Sequence, residues 1–142
     1  MGVAMTRAES VTDEPGRLVE IKADRPELVL TESSYGPGES GPGPHVHRQH
    51  SDCFYVLEGE LVFELGDQRT TVAAGGFVLV PPGVIHTFRN EGPADARFLN
   101  LHAPGCRFAD HLRGEDVDFD THDPPKHGGV SASAAIVVPG GG

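Results

Sequence analysis

The feature that most constrains the fold is a series of short runs of strand-forming residues, separated at regular intervals by turns rich in glycine and proline. The 142 residues include 19 glycines and 12 prolines, and no run shows a helical period. Six consecutive runs are predicted as strands, at residues 54–57, 61–65, 70–72, 77–80, 87–89 and 97–101. Two shorter strands are predicted before them, at 18–21 and 28–30. This pattern predicts an all-β antiparallel sandwich or barrel.

The chain is long enough to bury one core without disulfides or a structural metal, so we expect a single domain. Residues 1–16 have no periodicity and are predicted to form a disordered N-terminal arm, followed by a β domain over 17–106. Residues 107–142 are predicted as a short helical turn, at 107–112, and a Gly/Pro-rich tail. Within the tail, the AAIVV stretch at 134–138 is open to two interpretations, an edge strand or a surface that packs on a partner.

Charge and composition exclude several classes of function. The net charge of −10 would repel nucleic acids and anionic membranes, so neither is expected as a partner. We find no apolar run of membrane-spanning length and no secretory signal at the N-terminus. The two cysteines, Cys53 and Cys106, are interpreted as free thiols, which favours a reducing cytoplasmic location.

The candidate chemistry lies in two segments, PHVHRQHSDCFYVLEG at 44–59 and GGFVLVPPGVIHTFRN at 75–90. Together they offer three imidazoles and one carboxylate, a set that suits a first-row transition metal: His45, His47, Asp52 and His86. The first two histidines are two residues apart and would share one face of an extended strand. Asp52 lies at an odd offset, so the intervening RQHS must bend or bulge to bring it to that face. His86 follows a predicted tight turn at Pro82-Gly83, where a hairpin can place it opposite the first pair.

These segments resemble the two conserved motifs of the cupin family, over roughly residues 29–105. The second segment fits throughout, as Gly75, five residues, Pro81, one, Gly83, two, His86, three, Asn90. The first fits as His45, one residue, His47, four, an acidic residue at 52, six, Gly59. It departs from the family pattern twice, because Asp52 replaces the usual glutamate and Glu39 replaces the usual glycine.

The resemblance implies a jelly-roll β-barrel, usually dimeric, with a metal near the barrel axis. It carries ligand roles onto His45, His47 and His86, and onto Asp52 with alternatives left open. The shorter aspartate could bind directly through one oxygen, bind through water, or act beside a three-histidine site as a supporting partner or base. The implied cofactor is one divalent transition metal ion per chain, with iron, manganese, nickel, copper and zinc all possible.

Asp52 and His102 are the candidate catalytic residues. His102 shares a strand face with Phe98 and Asn100. Either that face lines the cavity, where Asn100 and His102 could contact substrate or act as acid and base, or it is a polar outer face with the neighbouring leucines buried.

Other polar residues have weaker claims. His50 is interpreted as a loop residue at the cavity mouth, or as a substitute for Asp52. Cys53 should point away from the metal as a buried, inert thiol. The tail histidines, His111, His122 and His127, are assigned no function.

Within the cupin family, the motifs resemble most the bacterial quercetin-dioxygenase-like group. The leading hypothesis is therefore a metal-dependent oxidoreductase that inserts dioxygen into a small aromatic or enolic substrate. One alternative is a non-redox isomerase or cyclase in which the ion is only a Lewis acid. Another is a module that binds a metal and a small ligand without chemistry, because a fold does not by itself define a reaction.

Overall fold

The computed structural model describes residues 2–141, which form two antiparallel β-sheets around one core. The strands are β1 (Glu9–Glu14), β2 (Arg17–Arg25), β3 (Leu28–Tyr35), β4 (Ser51–Glu58), β5 (Glu60–Leu65), β6 (Gln68–Ala73), β7 (Phe77–Val80), β8 (His86–Arg89), β9 (Ala96–Ala103) and β10 (Ile136–Val138). Helix α1 spans Phe108–Leu112, and a 3₁₀ turn spans Ala132–Ala134. The large sheet has the order β1-β2-β3-β9-β4-β7-β10 and the small sheet β6-β5-β8. The predicted all-β jelly-roll fold is confirmed.

The strands at 18–21 and 28–30 were predicted too short. They belong to a hairpin of β2 and β3, which extends to Tyr35. Along β3, buried and half-buried residues alternate strictly, but the buried positions after Val29 are Thr31, Ser33 and Tyr35. These inward-facing residues carry hydroxyl groups, so the apolar pattern of the sequence indicated that the strand ends at residue 30.

The predicted disordered arm at 1–16 is wrong for residues 9–14. They form β1, which pairs with β2 from Glu9 opposite Ile21 to Glu14 opposite Arg17. Pro15-Gly16 is the hairpin turn between the two strands, with Gly16 at φ 84°. Backbone hydrogen bonds form an edge strand whatever the polarity of its side chains, so polar composition alone did not exclude one.

The core lies where the inward faces of the two sheets meet. Its centre is aromatic, with the Phe54 ring centroid 4.9 Å from that of Phe63 and 4.8 Å from that of Phe88. Phe98 is also buried against this group. The apolar packing fills one part of the interior, and polar side chains from β3, β4 and β9 occupy another.

The C-terminal region closes over the barrel. Helix α1 confirms the predicted helical turn, and β10 pairs with the edge of β7, which decides in favour of the edge-strand interpretation. Residues 117–122, here called the strap, lie beside the first motif. They pair with Val46, the residue between His45 and His47, through reciprocal backbone hydrogen bonds of 3.0 and 2.9 Å between Val46 and His122. Within residues 2–141, the structure contains no helix with the length and apolar character needed to cross a bilayer.

We predict that Gly59→Ala lowers the free energy of unfolding by about 3 kcal/mol, since a left-handed conformation and a steric clash both penalise a side chain there. Gly59 has a φ of 72°, and a Cβ atom would lie 2.4 Å from the Asp95 carbonyl oxygen. Gly38→Ala is the matched control, with a φ of 86° and no atom within 4 Å of the added Cβ. It should cost only about 1 kcal/mol. Equal losses in urea denaturation would contradict the role of the contact with Asp95.

Candidate metal centre

Two of the candidate ligands are held opposite each other by the backbone. His45 N–H donates to the His86 carbonyl oxygen at 3.2 Å, and His86 N–H donates to the His45 carbonyl oxygen at 3.0 Å. The turn before His86 contains Gly83 at φ 90°, as Pro82-Gly83 predicted. The two imidazole rings consequently lie with their centroids 4.2 Å apart.

The predicted bend between His47 and Asp52 is present at residues 48–50. It is fixed by Asp120 of the strap, whose carboxylate accepts hydrogen bonds from the backbone N–H groups of Arg48 at 3.0 Å and Gln49 at 2.6 Å. Burial would raise the pKa of Asp120, but these and further hydrogen bonds outweigh it and hold the pKa below its usual range. Asp120 is therefore an ionised anchor, and the bend that it stabilises turns Asp52 to the side of the histidines.

The structure brings His45, His47, Asp52 and His86 together as one buried group, with their potential ligand atoms within 4.8 Å of one another. Asp52 Oδ2 lies 3.2 Å from His47 Nε2 and 3.1 Å from His86 Nε2. These distances are compatible with ligands arranged around one ion, which would lie about 2 Å from each ligand atom.

All three histidines present the same nitrogen to the centre. The Nδ1 atoms of His45, His47 and His86 are hydrogen-bonded to the carbonyl oxygens of Gly43 (2.9 Å), Asp120 (2.7 Å) and Val84 (2.9 Å). A carbonyl oxygen only accepts, so each Nδ1 carries the proton, and in the neutral ring Nε2 is left with a bare lone pair. Such second partners commonly fix the tautomer of metal-binding histidines.

The centre thus consists of acceptor atoms that face one another. In the neutral rings, no hydrogen lies between Asp52 Oδ2 and the nearest histidine nitrogens, an arrangement that a cation stabilises. Burial lowers the pKa of His45 to about 4, which keeps that ring neutral and able to ligate. Burial raises the pKa of Asp52, but the attraction of positive charge on His102, His47 and His86 would outweigh it and hold the pKa well below its usual range; with neutral rings, a bound cation takes the place of that charge. The donor set fits a divalent metal ion.

His102 and Asn100 face the interior, so the first of the two interpretations of that strand is correct. Phe98, Asn100 and His102 are buried, whereas Leu99 and Leu101 are half-buried on the other face. Asn100 Nδ2 donates to Asp52 Oδ1 at 2.6 Å, and Asn100 Oδ1 lies 3.0 Å from His102 Nε2. Burial lowers the pKa of His102 to about 3.

The prediction that His50 lies at the cavity mouth is wrong. His50 is 1% exposed, with Nδ1 2.8 Å from Asp120 Oδ2 and Nε2 2.8 Å from His102 Nδ1. It belongs to a hydrogen-bonded chain that runs from Asp120 through His50 to His102. The partner that draws it inward is 70 residues away in sequence, so local spacing gave no signal for it.

Cys53 lies on the opposite face of β4 from Asp52, beside exposed Tyr55. Burial raises the pKa of the Cys53 thiol to about 11. Both observations agree with a thiol that takes no part in the centre.

A cavity of about 310 Å³ opens beside the centre. One part of its wall is aromatic, formed by Phe54, Phe88, Phe98, Phe108 and Phe119. Another part is polar, formed by Arg17, Thr31, Ser33, Tyr35 and Asn100. Sequence reasoning missed the strap and the polar wall on β3, although the alternating hydroxyl residues in TESSY were a usable signal.

The comparisons with known proteins agree with this geometry. The family model described as Cupin domain matches residues 31–102. Germin-like protein subfamily 2 member 2 of Arabidopsis thaliana is 35% identical in an alignment covering 55% of this chain and 39% of that protein. Quercetin 2,3-dioxygenase of Bacillus subtilis (strain 168) is 29% identical, with 54% of this chain and 23% of that protein covered. The matched region therefore spans well under half the length of either relative.

Among solved structures, Streptomyces PAC13 with uridine has a TM-score of 0.62 and 16% identity, covering 95% of this chain and 98% of that one. At this identity the likeness concerns the fold alone. KdgF from Halomonas sp. has a TM-score of 0.59 and 26% identity, covering 68% and 86%. The family match over half of the chain, together with the jelly-roll fold and the gathered motif residues, shows that the chain belongs to the cupin family.

Proposed function

We propose that this protein is a metal-dependent oxidoreductase of the dioxygenase type, acting on a small aromatic or enolic substrate. His45, His47, Asp52 and His86 would hold one divalent ion. The observation that carries the proposal is the set of unprotonated acceptor atoms that face one another beside a cavity. A bound ion would supply Lewis acidity and, if redox-active, a means of activating dioxygen.

The residues around the ligands are arranged to take a proton from a substrate. His50 Nδ1–H donates to Asp120, so His50 Nε2 accepts from His102 Nδ1–H. In the neutral ring this leaves a lone pair on His102 Nε2, which faces Asn100 Oδ1 at 3.0 Å and Asp52 Oδ1 at 3.4 Å. A proton received at His102 Nε2 would be stabilised at once by both oxygens.

The same chain can pass the charge onward. As His102 Nε2 gains a proton, Nδ1–H can transfer its proton to His50 Nε2. The His50 ring then carries the positive charge, which the ionised Asp120 carboxylate stabilises at 2.8 Å without taking the proton. Phe108 stacks on the His102 ring with centroids 3.7 Å apart, which holds the ring plane for this role.

This proton chain also supports a second candidate, a non-redox isomerase or cyclase. Moving a proton within an enolisable substrate needs a base and a Lewis acid but no dioxygen. The relatedness to quercetin 2,3-dioxygenase favours the oxidoreductase, and an anaerobic assay separates the two.

We predict that protein purified without chelators or a metal-affinity tag contains nearly one divalent transition metal ion per chain. His86→Ala should lose most of it, because one of the four candidate ligands is removed, whereas His127→Ala, at an exposed tail position, should retain it. Elemental analysis of the three proteins provides the measurement. A wild-type protein that stays metal-free after reconstitution would eliminate the proposed centre.

We further predict that Asp120→Asn weakens metal binding by about 10-fold or more, the usual effect of losing an outer partner of a metal ligand. The amide replaces one acceptor oxygen by a donor, which must face the N–H groups of Arg48, Gln49 or His50. Affinity is measured by competition with a chromogenic chelator. Asp123→Asn changes an exposed carboxylate nearby and should bind metal as the wild type does; an equal affinity for both variants would refute the anchoring role of Asp120.

For catalysis, we expect the metal-loaded protein to consume dioxygen with a member of a flavonol and diketone panel. His102→Asn should lower kcat by roughly 100-fold or more, the usual contribution of a general base, with the metal content unchanged. Turnover that persists without dioxygen would transfer the assignment to the isomerase or cyclase. If no product forms with or without dioxygen, we would interpret the protein as one that binds a metal and a small ligand without catalysis.

A further inference from the structure

The polar wall of the cavity contains hydroxyl groups that the protein itself does not satisfy. Ser33 and Tyr35 are 5% and 7% exposed, and neither hydroxyl has a hydrogen-bond partner among residues 2–141. Buried side-chain hydroxyls are nearly always paired in folded proteins. Among residues 2–141 no fully enclosed side-chain nitrogen or oxygen lacks a partner, and both residues line the cavity, so their hydroxyl oxygens are reached from the cavity and are free to bind what occupies it.

Arg17 continues this wall. It is the register partner of Tyr35 on the neighbouring strand, and its guanidinium carbon lies 4.4 Å from the centroid of the Tyr35 ring. Its Nη2 donates to Glu39 Oε2 at 2.9 Å and to the Ser40 carbonyl oxygen. Within residues 2–141, Nε and Nη1 have no protein acceptor, and Arg17 is the only arginine or lysine lining the cavity.

The charges around the cavity favour an anion. With a divalent ion in place, the ionised Asp52 leaves one net positive charge at the centre, while Arg17 and Glu39 balance each other. One negative charge on a ligand would therefore neutralise the enclosed site, and buried charge requires such compensation. The phenylalanines on the other wall offer no polar partner, so the ligand's oxygen atoms would be directed toward β3.

We propose that Arg17, Ser33 and Tyr35 form a binding strip for a small monoanionic hydroxycarboxylate, with the carboxylate on the guanidinium and hydroxyl groups on the two side chains. This inference rests on the proposed function and deepens it, since it favours an enolisable, carboxylate-bearing substrate over a neutral aromatic one. The ligand's remaining end would lie toward Asn100 and the metal centre, because Thr31 on the same face of β3 lies opposite Asn100.

The test uses a matched pair of unreactive probes. D-Gluconate is a monoanion that carries hydroxyl groups, and sorbitol differs by having a hydroxymethyl group in place of the carboxylate. Binding of each to the metal-loaded protein, freed of excess metal, is measured by calorimetry. We expect gluconate to bind at least about 10-fold more tightly than sorbitol, the scale of a charge-assisted hydrogen bond.

Three variants then examine the strip. Arg17→Gln should weaken gluconate binding by about 10-fold or more, and Tyr35→Phe and Ser33→Ala by about 3- to 10-fold each, with metal content unchanged. Arg69→Gln and Tyr55→Phe are matched controls on exposed side chains and should bind gluconate as the wild type does.

The outcomes separate this proposal from the proposed function. Equal binding of sorbitol and gluconate, no binding of gluconate, or wild-type affinity in Arg17→Gln and Tyr35→Phe would overturn the strip, even if the protein holds metal and turns over a substrate. Conversely, a protein that takes up no metal yet binds gluconate in an Arg17-dependent way would support the strip and refute the metal-dependent function.

Discussion

The geometry of the candidate metal centre depends on one buried carboxylate outside it. Asp120 accepts hydrogen bonds from the backbone of residues 48 and 49, from His50 and from His122, while its own carbonyl oxygen fixes the His47 ring. A charge this buried is tolerated only because N–H groups surround it. Those N–H groups define the bend that decides whether Asp52 faces the histidines or the opposite side of the sheet. The strap is therefore part of the site, although it lies outside both sequence motifs.

The candidate ligands also join the two sheets. Asp52 belongs to β4 of the large sheet, and His86 to β8 of the small one, while His45 and His47 lie on the connection between β3 and β4. An ion bound by all four would link both sheets and the connection. Because such an ion binds only the folded chain, its binding energy adds to the stability of the fold. Metal binding and folding would therefore be thermodynamically coupled.

The fold and the four candidate ligands were predictable because their signals are local. Alternation, turn residues and motif spacing each act over fewer than about twenty residues. Three features escaped prediction because their cause is distant or their residues are polar. His50 is drawn inward by Asp120, β1 is held by backbone pairing with β2, and β3 buries hydroxyl groups where a stable strand would normally bury aliphatic ones. In a sequence, a polar residue that faces the interior cannot be distinguished from one that faces solvent. The two differ only in whether the other sheet packs against them.

The hydroxyl groups on β3 show that the polar side chains of the interior fall into two groups, those paired within the protein and those facing the cavity. For packing alone, aliphatic side chains at positions 33 and 35 would line the cavity without polar atoms. Two cavity-facing hydroxyls on β3 instead have no protein partner, while Asp120, His50 and His102 are hydrogen-bonded to one another on the other side of the centre. Satisfied networks hold catalytic groups rigid, whereas unsatisfied groups are held ready for a ligand. The distribution of paired and unpaired polar atoms thus separates the wall that would move protons from the wall that would receive the substrate.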